Sequence, residues 1–494
     1  MSLLLLPVVG VATNLHHSPT REPPDVPRSA VALRTPSAGL GEWCASASTC
    51  TPVAWHDCRT GPADEEGKQL AESGASCATV KVPLDHTKPR GRTIDVAISR
   101  IPADPAKRRG VLLTNPGGPG GPGITYPLAL RPLLGEVAAQ YDLIGIDQRF
   151  MGRSDPLDCG PVRLADVLRT SVTRTNFVTS DRKAKDFATA CRERNPGLLE
   201  HASIRNAARD LDAVRTALGE QKISYYGVSW GADLGVVYAQ LFPDRVDRMV
   251  VDSVTDVEGS EYRHLATGER VEAAFDEWAA WVAWRDDKYH LGRTGMEVRR
   301  AVTRLLERPI TVGEYRVDSA ALPWLLQSAL GDESDRELMA RNVSTLIHGS
   351  APTEELQAWL AQYYSSVPML SRFAAASFAF TCNDRGWPSG PTQYWRDVQR
   401  TRRTEPLFAT TILQCAYWRD RTTEPELTIG NDVPLLIVQA ERDNIPLSWA
   451  ESLHRKLPKS TLRTVDRRGH GVYDERVPAM VKTVNTFLST GAVP

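Results

Sequence analysis

The stretch Tyr225-Tyr226-Gly227-Val228-Ser229-Trp230-Gly231-Ala232 constrains this chain more than any other. Lys222 to Tyr226 reads as a buried strand, and Asp233 to Phe242 as a helix that stops at Pro243. A Gly-x-Ser-x-Gly turn between a strand and a helix is a nucleophile elbow. The serine must take a strained backbone angle so that its hydroxyl points out of the turn. Flanking glycines remove side chains that would block so close an approach of strand and helix. Five-residue matches also arise by chance, as plain Gly-rich turns. The strand–turn–helix context places Ser229 above that alternative.

The rest of the chain is organised around this turn. Cys77 to Asp85 and Thr93 to Ile101 alternate and predict an antiparallel hairpin at a sheet edge. Gly110 to Thr114 is a continuous apolar strand, as expected where both faces are covered. It runs into the loop Asn115-Pro116-Gly117-Gly118-Pro119-Gly120-Gly121-Pro122-Gly123. Tyr141 to Asp147 predicts another buried strand. Ser203 caps an amphipathic helix to Leu218, and Arg248 to Val254 is the next strand. The strand pattern resumes at Val433 to Gln439 and Thr461 to Val465, with helices at Ala450 to Leu457 and Pro478 to Leu488. Strands alternating with helices argue a mainly parallel sheet covered on both faces. Residues 255–432 differ: helical stretches such as Gly268 to Arg285 and Glu297 to Leu306 carry many aromatics, among them Trp278, Trp281, Trp284, Trp324, Trp359, Tyr363 and Tyr364. They predict a helical lid inserted over the strand ends, its aromatics forming lid core or an apolar pocket for an acyl group. The expected division is a leader at 1–40, a first core part at 41–254, the lid at 255–432 and a second core part at 433–494.

A chain of 494 residues can bury a large core. The formal net charge of -1, with no basic block, argues against nucleic acid and acidic membrane surfaces as partners. Met1 to Ala12 is an apolar run too short to span a bilayer. It has the look of a secretory signal core without the usual basic start, and a Pro-, Ser- and Thr-rich leader follows. No other segment is apolar enough to insert stably in a membrane. Eight cysteines fit an exported, disulfide-bonded protein. Proximity pairs Cys44–Cys50, Cys58–Cys77, Cys159–Cys191 and Cys382–Cys415. No ligand spacing for zinc accompanies them, so neither metal nor organic cofactor is expected. Oligomeric state is not encoded in any visible pattern.

A serine hydroxyl needs a base within reach, and the base needs an orienting partner. In a fold of this kind the chain order is Ser, then acid, then His. The strand Leu435 to Gln439 leads into Ala440-Glu441-Arg442-Asp443, which makes Asp443 the first candidate acid and Glu441 the second. Past the next strand, Gly469-His470-Gly471 can bend and expose His470, whereas His454 falls in a predicted helix. The oxyanion of a tetrahedral intermediate needs N–H donors, each typically worth ~2.7–4 kcal/mol of barrier. Trp230 supplies one where the helix begins. Gly118 supplies the other, because Pro116 and Pro119 have no N–H. A phosphate cradle is the rival reading of this Gly-rich loop, but it lacks the Lys-Ser/Thr ending.

Taken together, Pro116-Gly117-Gly118-Pro119-Gly120, Asp147-Gln148-Arg149, Gly152-Arg153-Ser154, the elbow, and Asp443 with His470 resemble the prolyl and tripeptidyl aminopeptidases of the α/β-hydrolases, the secreted actinobacterial type above all. Cys77 through Val82-Pro83-Leu84-Asp85 and Leu241-Phe242-Pro243-Asp244-Arg245-Val246 are similar to segments of the same family. The resemblance spans roughly residues 50–490. It implies an α/β-hydrolase fold, a Ser229–His470–Asp443 triad and a peptide substrate cleaved at its N-terminus. The chain departs from the family pattern at Asn115, where a His is common, and at Phe150, where a Gly is usual. Trp230-Gly231-Ala232-Asp233 and the shortened Asp443 loop also differ. These positions bear on substrate choice and leave the triad untouched. Family members hold the substrate amine with carboxylates near the lid; Asp384 and Glu258 are candidates, with salt bridges or turns an equal reading. An esterase, amidase or lactone hydrolase acting on a small metabolite, and a non-catalytic binding protein, stand as alternatives on the same fold.

Overall fold

The computed structural model describes residues 53–163, 173–258, 267–319, 321–349, 352–364, 368–383, 387–409, 413–418, 424 and 427–494. The expected leader, the Cys44–Cys50 pairing and Asp384 lie outside the described residues.

The chain opens with β1 (Ser76–Pro83) and β2 (Thr93–Ile101), which pair antiparallel in full register from Ser76↔Arg100 to Pro83↔Thr93. Next come β3 (Gly110–Asn115), β4 (Tyr141–Ile146), β5 (Ile223–Val228) and β6 (Val246–Asp252). Two short strands, β7 (Ile310–Val312) and β8 (Tyr315–Val317), make a separate hairpin. Finally β9 (Leu435–Ala440) and β10 (Thr461–Val465) return to the main sheet. Its eight strands run in the order β1-β2-β4-β3-β5-β6-β9-β10. From β4 through β10 every neighbouring pair is parallel.

Residue chemistry accounts for this order. β3, β4 and β9 are buried at all six positions, as parallel strands covered on both faces must be. Alternate side chains of β3 go to opposite cores. Val111 and Leu113 pack in one cluster with Leu211 and Val214 of the helix Ile204–Ala217. Leu112 packs in another with Leu130 and Leu134 of the helix Tyr126–Leu134 and Val484 and Leu488 of the helix Pro478–Thr490. Each such side chain taken from water is worth about 1.5–3 kcal/mol. The Ser203 hydroxyl accepts the Asn206 N–H at 3.2 Å and starts its helix where expected.

Between β6 and β9 the chain forms helices, the longer ones being Thr267–Ala283, Gly295–Glu307, Arg336–His348 and Pro368–Asn383. Their aromatics pack mainly on one another. Trp278, Trp324 and Tyr363 are buried, and the rings of Trp324 and Tyr363 lie 4.8 Å apart. Trp284 instead stands on the surface, 88% exposed.

Three disulfides, Cys58–Cys77, Cys159–Cys191 and Cys382–Cys415, join the cysteines that sequence proximity pairs. Among the described residues no helix is long and apolar enough to cross a membrane.

Candidate active site

Ser229 sits between β5 and the helix Trp230–Leu241, at φ 60° and ψ -129°. A non-glycine residue pays for this left-handed pose and holds it only where its surroundings enforce it. The flanking glycines show why the turn has this composition. A Cβ on Gly227 would lie 2.3 Å from the Gly231 carbonyl oxygen, and one on Gly231 would lie 2.6 Å from that of Asn115. The Ser229 hydroxyl is buried and has no hydrogen-bond partner among the described residues.

The Gly-rich loop after β3 comes down onto this turn. Gly117 has φ 86°, and a Cβ there would lie 2.4 Å from the Val228 carbonyl oxygen and 3.1 Å from Ser229 Cβ. Asn115 Oδ1 accepts the Gly117 N–H at 2.9 Å, which occupies that donor. The N–H groups of Gly118 and Trp230 make no hydrogen bond to the described residues. That of Trp230 is open because the first N–H groups of a helix have no intrahelical acceptor. The far end of the loop is tied to Asp147, whose Oδ1 accepts the N–H of Gly123 at 2.8 Å and of Ile124 at 2.9 Å. Burial raises the Asp147 carboxyl to about 6 against the lowering effect of these bonds. Arg149, two residues on, is fully buried and bidentate to Asp210 at 2.6 and 2.7 Å. Asp147 thus braces the loop, and Arg149, which also donates to the carbonyls of Pro83 and Leu84, braces the end of β1.

Asp443 follows β9 and is 1% exposed. Its Oδ1 lies 2.9 Å from His470 Nδ1 and accepts the Ile445 N–H at 3.0 Å. Gln439 Nε2 donates to Oδ2 at 3.2 Å. Glu441, the second candidate acid, instead accepts from the exposed Thr464 hydroxyl at 2.9 Å. His454 is engaged with Ser460 at 2.8 Å in its own helix region. Gly471, beside His470, packs on the elbow, since a Cβ there would meet Val228 Cγ2 at 3.4 Å. Burial pulls the His470 imidazole down, but the Asp443 charge and hydrogen bond, with the Asp252 charge behind them, leave it raised.

Among the described residues the helical insertion reaches this site at several points. The Phe380 ring stands edge-on to Trp230 at 5.2 Å. Gly120 lies against the helix Pro368–Asn383, where a Cβ would be 2.7 Å from the Phe373 carbonyl oxygen and 3.1 Å from Ser377 N. Arg270 Nε donates to the Asp443 carbonyl at 3.0 Å. Of the candidate amine-binding carboxylates, Glu258 accepts the Ile429 N–H and pairs with Lys456. These contacts tie the start of the insertion to its end at Ile429 and to the helix Leu447–Lys456.

Sequence reasoning missed Asp252, Ser253 and Arg270. Asp252 ends a buried strand, where its only sequence signal was a carboxylate closing the apolar run Met249-Val250-Val251.

The sequence model for the alpha/beta hydrolase fold matches residues 110–294, and that for TAP-like proteins matches residues 401–494. The tripeptidyl aminopeptidase of Streptomyces lividans is 33% identical over 445 residues, which cover 84% of this chain and 81% of that one. The chain belongs to the tripeptidyl aminopeptidase family of α/β-hydrolases. It is a serine hydrolase of the peptidase kind. Within the wider family, serine protease Hip1 of Mycobacterium tuberculosis is 32% identical over 237 residues, covering 46% of this chain and 45% of that one. A carboxylesterase B of the same species is 30% identical over 255 residues, covering 50% and 48%. Among solved structures, a thermophilic esterase from Thermogutta terrifontis is 16% identical at a TM-score of 0.37, covering 83% of this chain and 99% of that one. That likeness carries no argument about substrate. Of the departures from the family pattern, Asn115 lies against Gly231 of the elbow. Phe150, another of those departures, holds φ 68° inside the core.

Proposed function

We propose that this chain is a secreted serine aminopeptidase that releases short peptides or single residues from the N-terminus of peptides. Ser229 attacks the scissile carbonyl, and His470 takes its proton and passes it to the leaving amine. Asp443 fixes the imidazole tautomer with Nδ1–H toward the carboxylate, which leaves Nε2 as the base. The Gly118 and Trp230 N–H groups receive the oxyanion. Water then attacks the acyl-enzyme with His470 again as base.

One observation carries this reading. A buried Asp443–His470 pair and a strained serine both follow the C-terminal ends of parallel strands, and Gly471 beside His470 packs on the elbow; the Ser229 hydroxyl has no hydrogen-bond partner among the described residues, His470 included. The family's named peptidase supports a peptide substrate. Three disulfides support an oxidising compartment outside the cytosol. Residues 255–432 act as the lid that shapes the substrate pocket, set between core parts at 41–254 and 433–494.

The test is release of p-nitroaniline from tripeptidyl and aminoacyl anilides with a free amine, set against N-acetylated versions. Cleavage of the free forms with little of the blocked ones is expected. Indifference to all free-amine anilides, with an enzyme that still reacts at Ser229, would remove the aminopeptidase assignment. The carboxylesterase relative supports a second reading, an esterase of small metabolites. Turnover of p-nitrophenyl esters with no anilide cleavage would favour it.

A further inference from the structure

Asp252, which ends β6, and Ser253, which follows it, touch all three segments of the proposed triad. The Asp252 carbonyl accepts the Ser229 N–H at 2.9 Å. The Asp252 carboxylate accepts the N–H of Val472 at 2.8 Å and of Tyr473 at 3.0 Å. The Ser253 hydroxyl accepts the Gly471 N–H at 2.9 Å and lies 3.2 Å from Asp252 Oδ1, to which it donates. The three N–H groups that directly follow His470 therefore all end on this pair. On the other side, the Ser253 N–H donates to the Val438 carbonyl at 3.0 Å, on the strand that leads to Asp443.

Both residues are costly to place there. Asp252 is fully buried; burial raises its carboxyl, while the Val472 and Tyr473 N–H groups, which can only donate, work against that rise and favour the ionised form. Ser253 is fully buried at φ 56°, a left-handed pose that a β-hydroxyl residue adopts under constraint. Strain at Ser253 and a buried charge at Asp252 both resolve into bonds to the loop that carries His470. A strand end needed only for packing would carry neither.

We propose that Asp252 and Ser253 are positioning residues of the catalytic apparatus, the shared anchor that sets His470 against Ser229. The pair acts through backbone N–H groups and does not touch substrate. The Asp252 charge also faces the imidazole across the anchored loop and favours its protonated form during proton transfer. The titratable groups around Asp252 are His470 on the same loop, Tyr473 beyond it, Tyr226 of β5, whose hydroxyl donates to Oδ2 at 3.0 Å, and Tyr126 of the helix Tyr126–Leu134. Burial, first of all, raises all three phenols, so they remain neutral. His470 is the one partner whose charge changes near neutrality.

The proposal rests on the triad reading, and the experiment separates the two. The rate of Ser229 labelling by a fluorophosphonate is measured against pH for wild type, Asp252→Asn, Ser253→Ala and Ser253→Gly, with melting temperatures alongside. A wild type that does not label at Ser229 overturns the triad reading itself. Given labelling, Asp252→Asn is expected to slow it at least tenfold and to move the acid limb to lower pH. Ser253→Gly, which relieves the left-handed pose and removes the hydroxyl, is expected to melt no lower than Ser253→Ala yet label at least fivefold slower than wild type. Wild-type rates and an unmoved acid limb in Asp252→Asn would overturn the proposal. If Asp252→Asn fails to fold, Ser253→Gly decides alone: a folded variant that labels at the wild-type rate would overturn it.

Discussion

At the scale of single residues, the proposed activity turns on the ionisation of one imidazole. His470 must be neutral to accept the Ser229 proton. Burial lowers its pKa, and the Asp443 charge and bond outweigh burial and raise it above the ordinary value of about 6.5. Activity is therefore lost as pH falls through that raised value. The expected kcat/KM profile has an acid limb centred above pH 6.5, read from anilide hydrolysis between pH 5 and 9. Asp443→Asn should lower kcat by about 10⁴-fold, as loss of the orienting carboxylate does in triads of this type. It should also shift the limb toward lower pH. A limb that stays in place in Asp443→Asn would show that another carboxylate sets the imidazole. Ser229, Asp443 and His470, the proposed triad, can be nominated from the sequence because each sits in a local signature, and the chain order assigns the proposed roles. Asp252 and Ser253 carry no such signature. Their meaning lies in hydrogen bonds to residues more than two hundred positions away, at Gly471 to Tyr473.

At the scale of elements, the buried strands were legible because both-face burial writes continuous apolar runs, as in β3 and β4. Their ends shift by a residue or two, since register and caps decide them: β9 begins at Leu435 and runs on to Ala440. The helix Arg174–Arg194 is absent from the sequence reading although its buried positions, Phe177, Ser180, Ala184, Phe187, Ala188 and Cys191, recur every three or four residues; most of them are small, so the stripe is weakly apolar. The hairpin β7–β8 is three residues a strand, too short for alternation to show. The Gly-rich loop is the element whose composition is most tightly dictated. Gly117→Ala would place a methyl 2.4 Å from the Val228 carbonyl oxygen at φ 86°. The loop must lift from the elbow, which takes the Gly118 N–H with it. Loss of one oxyanion donor costs ~2.7–4 kcal/mol of barrier, so kcat should fall about 10²–10³-fold. Unchanged kcat in a folded Gly117→Ala variant would place the oxyanion elsewhere.

Across the whole molecule, the sheet, the insertion and the acid loop form one connected unit. Arg270 joins the helix Thr267–Ala283 to the loop that holds Asp443. At the start of that helix, a Cβ on Gly268 would meet Glu405 Oε2, so this carboxyl is pressed into the interior of the insertion. Burial, then the charges of Glu272 and Glu269, raise Glu405 from its ordinary value to about 7. A raised folded-state pKa contributes stability that is full below about pH 4.5 and lost as pH rises through about 7. Glu405→Gln should therefore stabilise the protein at pH 8 by about 1–2 kcal/mol, allowing for screening. The gain should vanish near pH 4.5 in urea unfolding. An equal effect at both pH values would mean that the carboxyl ionises freely in the folded state. The insertion was legible as a change in character between two stretches of strand pattern. Which of its side chains reach the site, Phe380 at the elbow and Phe373 at the Gly-rich loop, depends on how the helices cross, and no periodicity reports that.

The central claim is that Ser229, His470 and Asp443 work as one nucleophilic unit, and covalent labelling with a fluorophosphonate, followed by peptide mapping, tests it most directly. The adduct is expected on Ser229 alone, abolished by prior unfolding and slowed at least a thousandfold in a folded His470→Ala variant. Native protein that stays unlabelled, or a His470→Ala variant that labels as fast as wild type, would contradict it.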